Sequence, residues 1–404
     1  MTAQIIKERG EERIVKQKRI ALTGNHAVAL AAKMARVEVI AAYPITPQTP
    51  VVEKLAEYVN NGELDAEYIP VEAEHSAMSA VIGASAMGAR TFTETSSQGL
   101  AHMYENLPIA VGLRLPIVMG IAARAYSAPI NVWGDYGDVM SMRELGWIIY
   151  ITQSAQEAFD TIIQAYRVAE DSRVHLPTVV AYDGFWTSHV LQPLDVPEDE
   201  EEVIRFAPIT RSWVKLDLDF PAQLGAVGTP EWYWEIRWQA VEALRGSLKV
   251  IEEVDEEFKR RFGRYYGLVG TYMLEDAEIA IVAYGSVYGL VKKVVNRLRS
   301  EGVRAGALKL RVIRPWPGEL IRKYLGHVDK VVVIDRAINH GGPLQGPMAT
   351  EVAATLQKPI YSVLATIGMR SIDSDMIYEA AMKAYRGLWA PGTTYTVGLR
   401  GGYE

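Results

Sequence analysis

Short β-branched runs alternate with helix-length segments along most of the chain, and no other feature narrows its possible folds as much. Val37–Ala42 reads as a strand ended by Pro44 and Pro47. Thr49–Asn60 follows as an amphipathic helix, with Val52, Leu55, Ala56 and Val59 at helical spacing. Tyr68–Val71 and Arg90–Thr95 read as strands on either side of Glu74–Gly88, a helix of small residues that implies tight burial. Ala29–Ala35 adds an Ala-rich helix, and Ile117–Ile121, Gln156–Glu170 and Pro177–Tyr182 continue as strand, helix and strand. A second block repeats the pattern, with strand Ala277–Tyr284, helix Val287–Ser300, and strands Arg304–Val312 and Val328–Asp335. Alternation of this kind predicts parallel sheets covered on both faces. The expected class is α/β, with two doubly wound, mostly parallel-sheet domains.

Between the blocks, residues 191–230 carry the acidic run Glu198–Glu202, several prolines and little periodicity, and read as a surface linker. A long helix over Trp232–Phe262 follows, its apolar face made by Trp234, Trp238, Val241, Leu248 and Ile251. Trp232, Trp234 and Trp238 are expected to pack into a core. The division is therefore 17–230 for the first domain with its linker, 231–264 for a connecting helix and 265–404 for the second domain. A chain of 404 residues exceeds one ordinary domain.

Composition excludes several functions. The formal charge of −7 argues against general nucleic-acid binding. The most apolar stretch, Ile20–Tyr43, is interrupted by charges, and the charged N-terminal segment lacks the apolar centre of a signal peptide, so a cytoplasmic protein with no membrane span is expected. There is no cysteine, so this chain alone holds no Cys-ligated cluster, disulfide or catalytic thiol. Its seven histidines show no metal-ligand spacing, and no metal site is expected. Neither a GxGxxG fingerprint, a phosphate-binding GxxxxGK[ST] loop nor a GxSxG elbow occurs.

Three loops of the first block break their strand patterns with polar residues. In Tyr43–Pro50 (YPITPQTP), flanking prolines stiffen the backbone around Thr46 at the carboxyl end of a strand, where open α/β sheets bind ligands. Thr46 reads equally as a substrate-binding hydroxyl or as a cap of the next helix. In Val71–Ala77, Glu74 opens an almost uncharged helix. Plain helix-dipole chemistry is the ordinary explanation, and a proton-relaying carboxylate is the functional one. In the third loop, Arg124 follows an apolar strand and precedes WGDYGD. It suits clamping a carboxylate, or an internal salt bridge with Asp135 or Asp138. Ser96–Gly99 forms a compact polar loop able to approach a ligand with its backbone.

Together, AAYPITPQTP, VEAEHSAMSAVIGASAMGARTFTETSSQGL and RLPIVMGIAARAYSAPINVWGDYGD closely resemble the α subunit of 2-oxoacid:ferredoxin oxidoreductases, most of all pyruvate:ferredoxin oxidoreductase. DGFWTSH (Asp183–His189) and RPWP (Arg314–Pro317) extend the resemblance to nearly the whole chain.

The resemblance implies a thiamine diphosphate pyrimidine-binding domain over 17–230 and a transketolase C-terminal-like domain over 265–404. It implies oxidative decarboxylation of a 2-oxoacid to its acyl-coenzyme A, with electrons passing to ferredoxin. Thiamine diphosphate would be shared with a β subunit. Mg²⁺ and [4Fe–4S] clusters would lie in partner subunits of β and γ/δ type, and coenzyme A would be a co-substrate. By position, Glu74 matches the glutamate that meets N1′ of the aminopyrimidine. Thr46 matches the threonine that bonds the oxoacid, and Arg124 the arginine that binds its carboxylate. Ser97, Gln98 and Gly99 match a loop near the cofactor. The resemblance turns all three ambiguous residues toward their functional reading. Pyruvate is the expected substrate, with 2-oxoisovalerate or another branched-chain acid as the alternative. A non-catalytic docking subunit is the remaining possibility.

Overall fold

The computed structural model describes residues 14–211 and 215–401. Residues 1–13 of the charged N-terminal segment lie outside that range. The first lobe runs β1 (Gln17–Leu22), α1 (Gly24–Met34), β2 (Val39–Ala42), α2 (Thr49–Asn60), β3 (Glu67–Pro70), α3 (Glu74–Ala86), β4 (Thr91–Thr95), α4 (Ser97–His102) and α5 (Leu107–Gly112). It continues with β5 (Val118–Ala123), α6 (Gly137–Ser141), β6 (Ile148–Ile151), α7 (Ala155–Ala169), β7 (Thr178–Asp183), β8 (Gln192–Pro197) and α8 (Glu201–Phe206). The long α9 (Tyr233–Phe262) leads to the second lobe: β9 (Val269–Tyr272), β10 (Ile279–Ala283), α10 (Val287–Ser300), β11 (Ala305–Leu310), β12 (Val312–Arg314) and α11 (Gly318–Leu325). The lobe ends with β13 (Lys330–Asp335), α12 (Pro347–Leu356), β14 (Tyr361–Ala365), α13 (Ser374–Tyr385) and β15 (Thr394–Val397).

The first sheet has seven strands in the order β12-β6-β7-β5-β4-β2-β3, all parallel except β12. The second has six, in the order β15-β14-β13-β10-β11-β9, parallel except β9. Central strands such as β5 (VMGIAA) are buried along their whole length, which is why they read as continuous apolar runs rather than alternating ones. Each sheet winds outward from its middle. Chain order reverses between β2 and β4 in the first and between β10 and β13 in the second. Such reversals open a crevice beyond the carboxyl ends of the strands.

Four features differ from the sequence expectations. The 191–230 stretch is not all linker: it contains β8, which pairs antiparallel with β1, and α8. Pro193, Asp195 and Pro197 lie in β8 of this two-stranded sheet, and the acidic run Glu198–Glu202 forms the turn after it and the start of α8. β1 and β6 carry too little periodicity to announce themselves. The tryptophans of α9 are not core: Trp232, Trp234 and Trp238 are 66%, 76% and 47% exposed. The helix is instead anchored by its second half, where Val250, Ile251, Val254, Phe258 and Phe262 are buried. Phe258 and Phe262 pack edge-on against Phe206 of α8, with ring centroids 5.2 and 5.7 Å away. Finally, Val312 lies not at the end of β11 but in β12, which leaves the second lobe and pairs with β6 of the first sheet.

Candidate functional site

The first sheet's crevice gathers the loops that leave β2, β3, β4 and β5. Thr46 follows β2 on an exposed turn. Arg124 directly follows β5 and is 5% exposed. Its Nη1 donates to the Thr46 carbonyl oxygen at 2.8 Å, and its Nε to the Asn131 carbonyl at 3.0 Å. The structure thus joins the two loops through the Thr46 backbone carbonyl, and Thr46 itself is exposed. The guanidinium does not pair with Asp135 or Asp138, the alternative that its sequence position left open. Burial lowers its pKa, and nearby Asp138 opposes that shift.

Glu74 begins α3 and is 7% exposed. The helix start explains its place, since a carboxylate is favoured beside unpaired N–H groups. Among the described residues its carboxylate has one side-chain hydrogen-bond partner, His102 at the end of α4, whose Nδ1 lies 3.2 Å from Oε2. His75 turns away, toward Glu105 at 3.5 Å.

Gly99 makes room for Glu74, because a Cβ there would lie 2.7 Å from Glu74 Oε1. The neighbouring Ser97 holds a left-handed backbone, with φ at 47°, and its hydroxyl donates to the Ala125 carbonyl at 2.5 Å. Gln98 donates from Nε2 to the Ser127 carbonyl at 3.3 Å. Ser97 and Gln98 therefore brace the segment after Arg124, while Gly99 seats Glu74.

One group that sequence reasoning missed in this role connects these loops. Asp138, wholly buried at the start of α6, accepts the Ser97 and Arg124 backbone N–H groups on Oδ2, each at 2.9 Å, and the Val139 N–H on Oδ1 at 2.7 Å. Burial pushes its carboxyl up to about 7, and the three N–H groups pull it back down. The sequence signal was present in WGDYGD, but it suggested a side-chain partner for Arg124 rather than a backbone one. His102 was missed as well, because nothing in SQGLAH marks a histidine that folds back on Glu74.

The site suits an aminopyrimidine-bearing cofactor on one observation: beside the buried Glu74 carboxylate stands a glycine, where any side chain would crowd Oε1. Among the described residues no group of three or more His, Asp or Glu side chains is arranged to hold a metal ion. None of the described helices is long and apolar enough to cross a membrane.

At the second lobe's crevice the two lobes meet. Arg336, at the end of β13, forms a fully buried ion pair with Asp183 at the end of β7. Its guanidinium carbon lies 5.0 Å from the centre of the Tyr136 ring. Gly285 follows β10 with φ at 66°, and a Cβ there would lie 2.6 Å from the Tyr136 hydroxyl. Asp183 opens the DGFWTSH segment, so that motif serves the contact between lobes.

Comparison with known proteins finds relatives along most of the chain. A family model described as "Pyruvate flavodoxin/ferredoxin oxidoreductase, thiamine diP-bdg" matches residues 30–256, and one described as "Pyruvate:ferredoxin oxidoreductase core domain II" matches residues 277–377. The pyruvate synthase subunit PorA of Methanocaldococcus jannaschii is 48% identical over 359 residues, covering 88% of this chain and 92% of that protein. The PorA subunit of Thermotoga maritima is 41% identical over 392 residues, covering 96% and 100%. The ketoisovalerate oxidoreductase subunit VorA of Pyrococcus horikoshii is 44% identical over 338 residues, covering 83% and 84%. Among solved structures, the 2-oxoglutarate:ferredoxin oxidoreductase of Magnetococcus marinus matches in fold with a TM-score of 0.72 at 19% identity. That match covers 91% of this chain and 65% of the longer one. A split-gene transketolase matches with a TM-score of 0.52 at 14% identity, covering 90% of this chain and 98% of that one. With relatives this similar along nearly their full length, the chain belongs to the pyruvate flavodoxin/ferredoxin oxidoreductase family and is an oxidoreductase subunit of the 2-oxoacid:ferredoxin class.

Proposed function

We propose that the chain is the α subunit of a cytoplasmic, heteromeric pyruvate:ferredoxin oxidoreductase that converts pyruvate and coenzyme A to acetyl-CoA and CO₂, reversibly, with electrons going to ferredoxin. The observation that supports it most is the Thr46–Arg124 contact in the crevice beside Glu74. In this reading Arg124 holds the oxoacid carboxylate through its remaining N–H donors until CO₂ leaves. Its bonds to the Thr46 and Asn131 carbonyls fix the plane of the fork, so little side-chain freedom is lost on binding. The hydroxyl of the exposed Thr46 hydrogen-bonds the oxoacid. Glu74 holds a proton toward N1′ of the aminopyrimidine, and His102 orients its carboxylate. Bound thiamine diphosphate supplies the electron sink for decarboxylation. Its diphosphate and Mg²⁺ belong to a β subunit in this reading, and the [4Fe–4S] clusters to partner subunits, in keeping with a chain that has no cysteine.

A branched-chain substrate is the second reading, favoured by the similarity to a ketoisovalerate oxidoreductase subunit. Viologen reduction by the anaerobically purified complex, with a panel of 2-oxoacids and with or without coenzyme A, separates the two. Coenzyme A-dependent reduction with pyruvate well ahead of larger acids is expected. Preference for branched acids replaces the substrate, and no reduction by a complex loaded with cofactor and clusters removes the proposal.

A further inference from the structure

A buried series of hydrogen bonds runs from the middle of β4 to the turn that carries Thr46. Asn25, fully buried in α1, donates from Nδ2 to the Pro47 carbonyl at 2.7 Å. Its Oδ1 lies 2.8 Å from the Tyr182 hydroxyl, and that hydroxyl makes a second, short contact with Glu94 Oε1. Glu94 and Tyr182 are 1% and 0% exposed.

Counting protons leaves one arrangement. The Pro47 carbonyl can only accept, so Asn25 presents its NH₂ there and its oxygen to Tyr182. A hydroxyl has one proton, and Tyr182 gives it to Asn25. The contact with Glu94 then requires the proton to sit on Glu94. The other Glu94 oxygen has no hydrogen-bond partner and packs over Gly120, where a Cβ would lie 2.7 Å from it.

The neighbouring elements agree with a neutral group. β5 presents Gly120, β7 presents Tyr182 and β2 (VIAA) has no titratable side chain. Glu157, Asp160 and Arg167 of α7 pair with Lys309, Arg264 and Glu257. Glu74 of α3 lies beside Gly99 and Thr95, and the Thr95 side chain leaves β4 on the face opposite Glu94. Burial pushes the Glu94 carboxyl up to about 8.

We propose that Glu94 is a positioning residue for the oxoacid, acting as a neutral acid that, through Tyr182 and Asn25, fixes the Pro47 carbonyl and so aims the adjacent Thr46. Arg124 grips the same turn from the other side. This inference rests on the reading of Thr46 and Arg124 as oxoacid ligands.

The test uses the assembled complex and compares wild type, Glu94→Gln, Glu94→Leu and Tyr182→Phe. KM for the oxoacid and kcat are measured on either side of the value near 8, with KM for coenzyme A as the internal control. Glu94→Leu and Tyr182→Phe should raise the oxoacid KM about tenfold, with a smaller change in kcat and none in the coenzyme A KM. Glu94→Gln keeps a donor toward Tyr182 and should stay within about twofold of wild type. The wild-type oxoacid KM should climb as Glu94 ionises, and Glu94→Gln should lack that rise. Equal damage to both KM values, or an alkaline rise retained in Glu94→Gln, overturns the proposal. If Glu94→Leu does not assemble, Tyr182→Phe and Glu94→Gln decide it. The underlying reading is tested separately. An unchanged oxoacid KM in Thr46→Val overturns that reading and the positioning role with it. The protonated-carboxyl infrared band, lost in Glu94→Gln, still reports whether Glu94 carries its proton.

Discussion

Oδ2 of Asp138 takes backbone N–H groups from two loops far apart in sequence, those of Ser97 and Arg124, while Oδ1 takes the N–H of the next residue, Val139. An amide in its place presents one acceptor and one misplaced pair of donors. Asp138→Asn is therefore expected to lower cofactor retention and raise the oxoacid KM together, by about 1–3 kcal/mol in all. Activity titrated against thiamine diphosphate and oxoacid checks it, and a change in only one constant contradicts the coupling. Glu94 makes a different prediction, for stability. Its folded pKa, about 8, lies above the 4.5 ordinary for glutamate. Its contribution is fully present below the lower value and is lost as pH rises toward the upper one, because only the unfolded chain ionises in that window. Thermal melts of Glu94→Gln should match wild type at the acid end and exceed it increasingly through the window. A constant offset contradicts this. Thr46, Glu74 and Arg124 were legible as candidates because each breaks a strand pattern. Asp138, His102 and Glu94 were not, since their roles depend on which loops and strands lie side by side, and one sequence does not contain that.

Elements were legible where local chemistry and periodicity agreed. α2 runs Thr49–Asn60 as the spacing of its apolar residues and a proline in its first turn predict. β1, β6 and β8 escaped because strands of 4–6 residues are defined by their partners rather than by their own pattern. α9 shows the limit of reading amphipathicity. Its tryptophans lie at helical spacing, yet burial follows Val250–Phe262 because α7 and α8 lie against that half. Phe258→Ala should cost about 3–5 kcal/mol, whereas Trp234→Ser should stay within about 0.5 kcal/mol in the isolated chain. Chemical denaturation distinguishes them, and equal losses would place the core wrongly. At the site, Gly99→Ala puts a methyl against the Glu74 carboxylate. A loss of cofactor affinity larger than the loss of fold stability is expected, read by cofactor retention beside the melting temperature.

The two lobes form a single hydrophobic body. One core runs from the first sheet through α9 to one face of the second, taking in Val282, Leu308 and Val333, while the other face packs on α10 and α13. The buried Asp183–Arg336 pair joins the two lobes, so Arg336→Met leaves Asp183 in the interior without its ion-pair partner. That should cost about 3–5 kcal/mol, measured as one cooperative transition moved to lower denaturant. Two separate transitions would show that the lobes unfold independently. β12 has a practical corollary. Those three residues come from the second lobe but cap the open edge at β6. A polypeptide cut between the two segments matched by the family models would present β6 bare, inviting strand-to-strand association. Anyone wishing to express the pyrimidine-binding-like half alone would have to graft residues 312–314 back onto it by a new connection, because the boundary seen by sequence comparison is not one at which the protein comes apart.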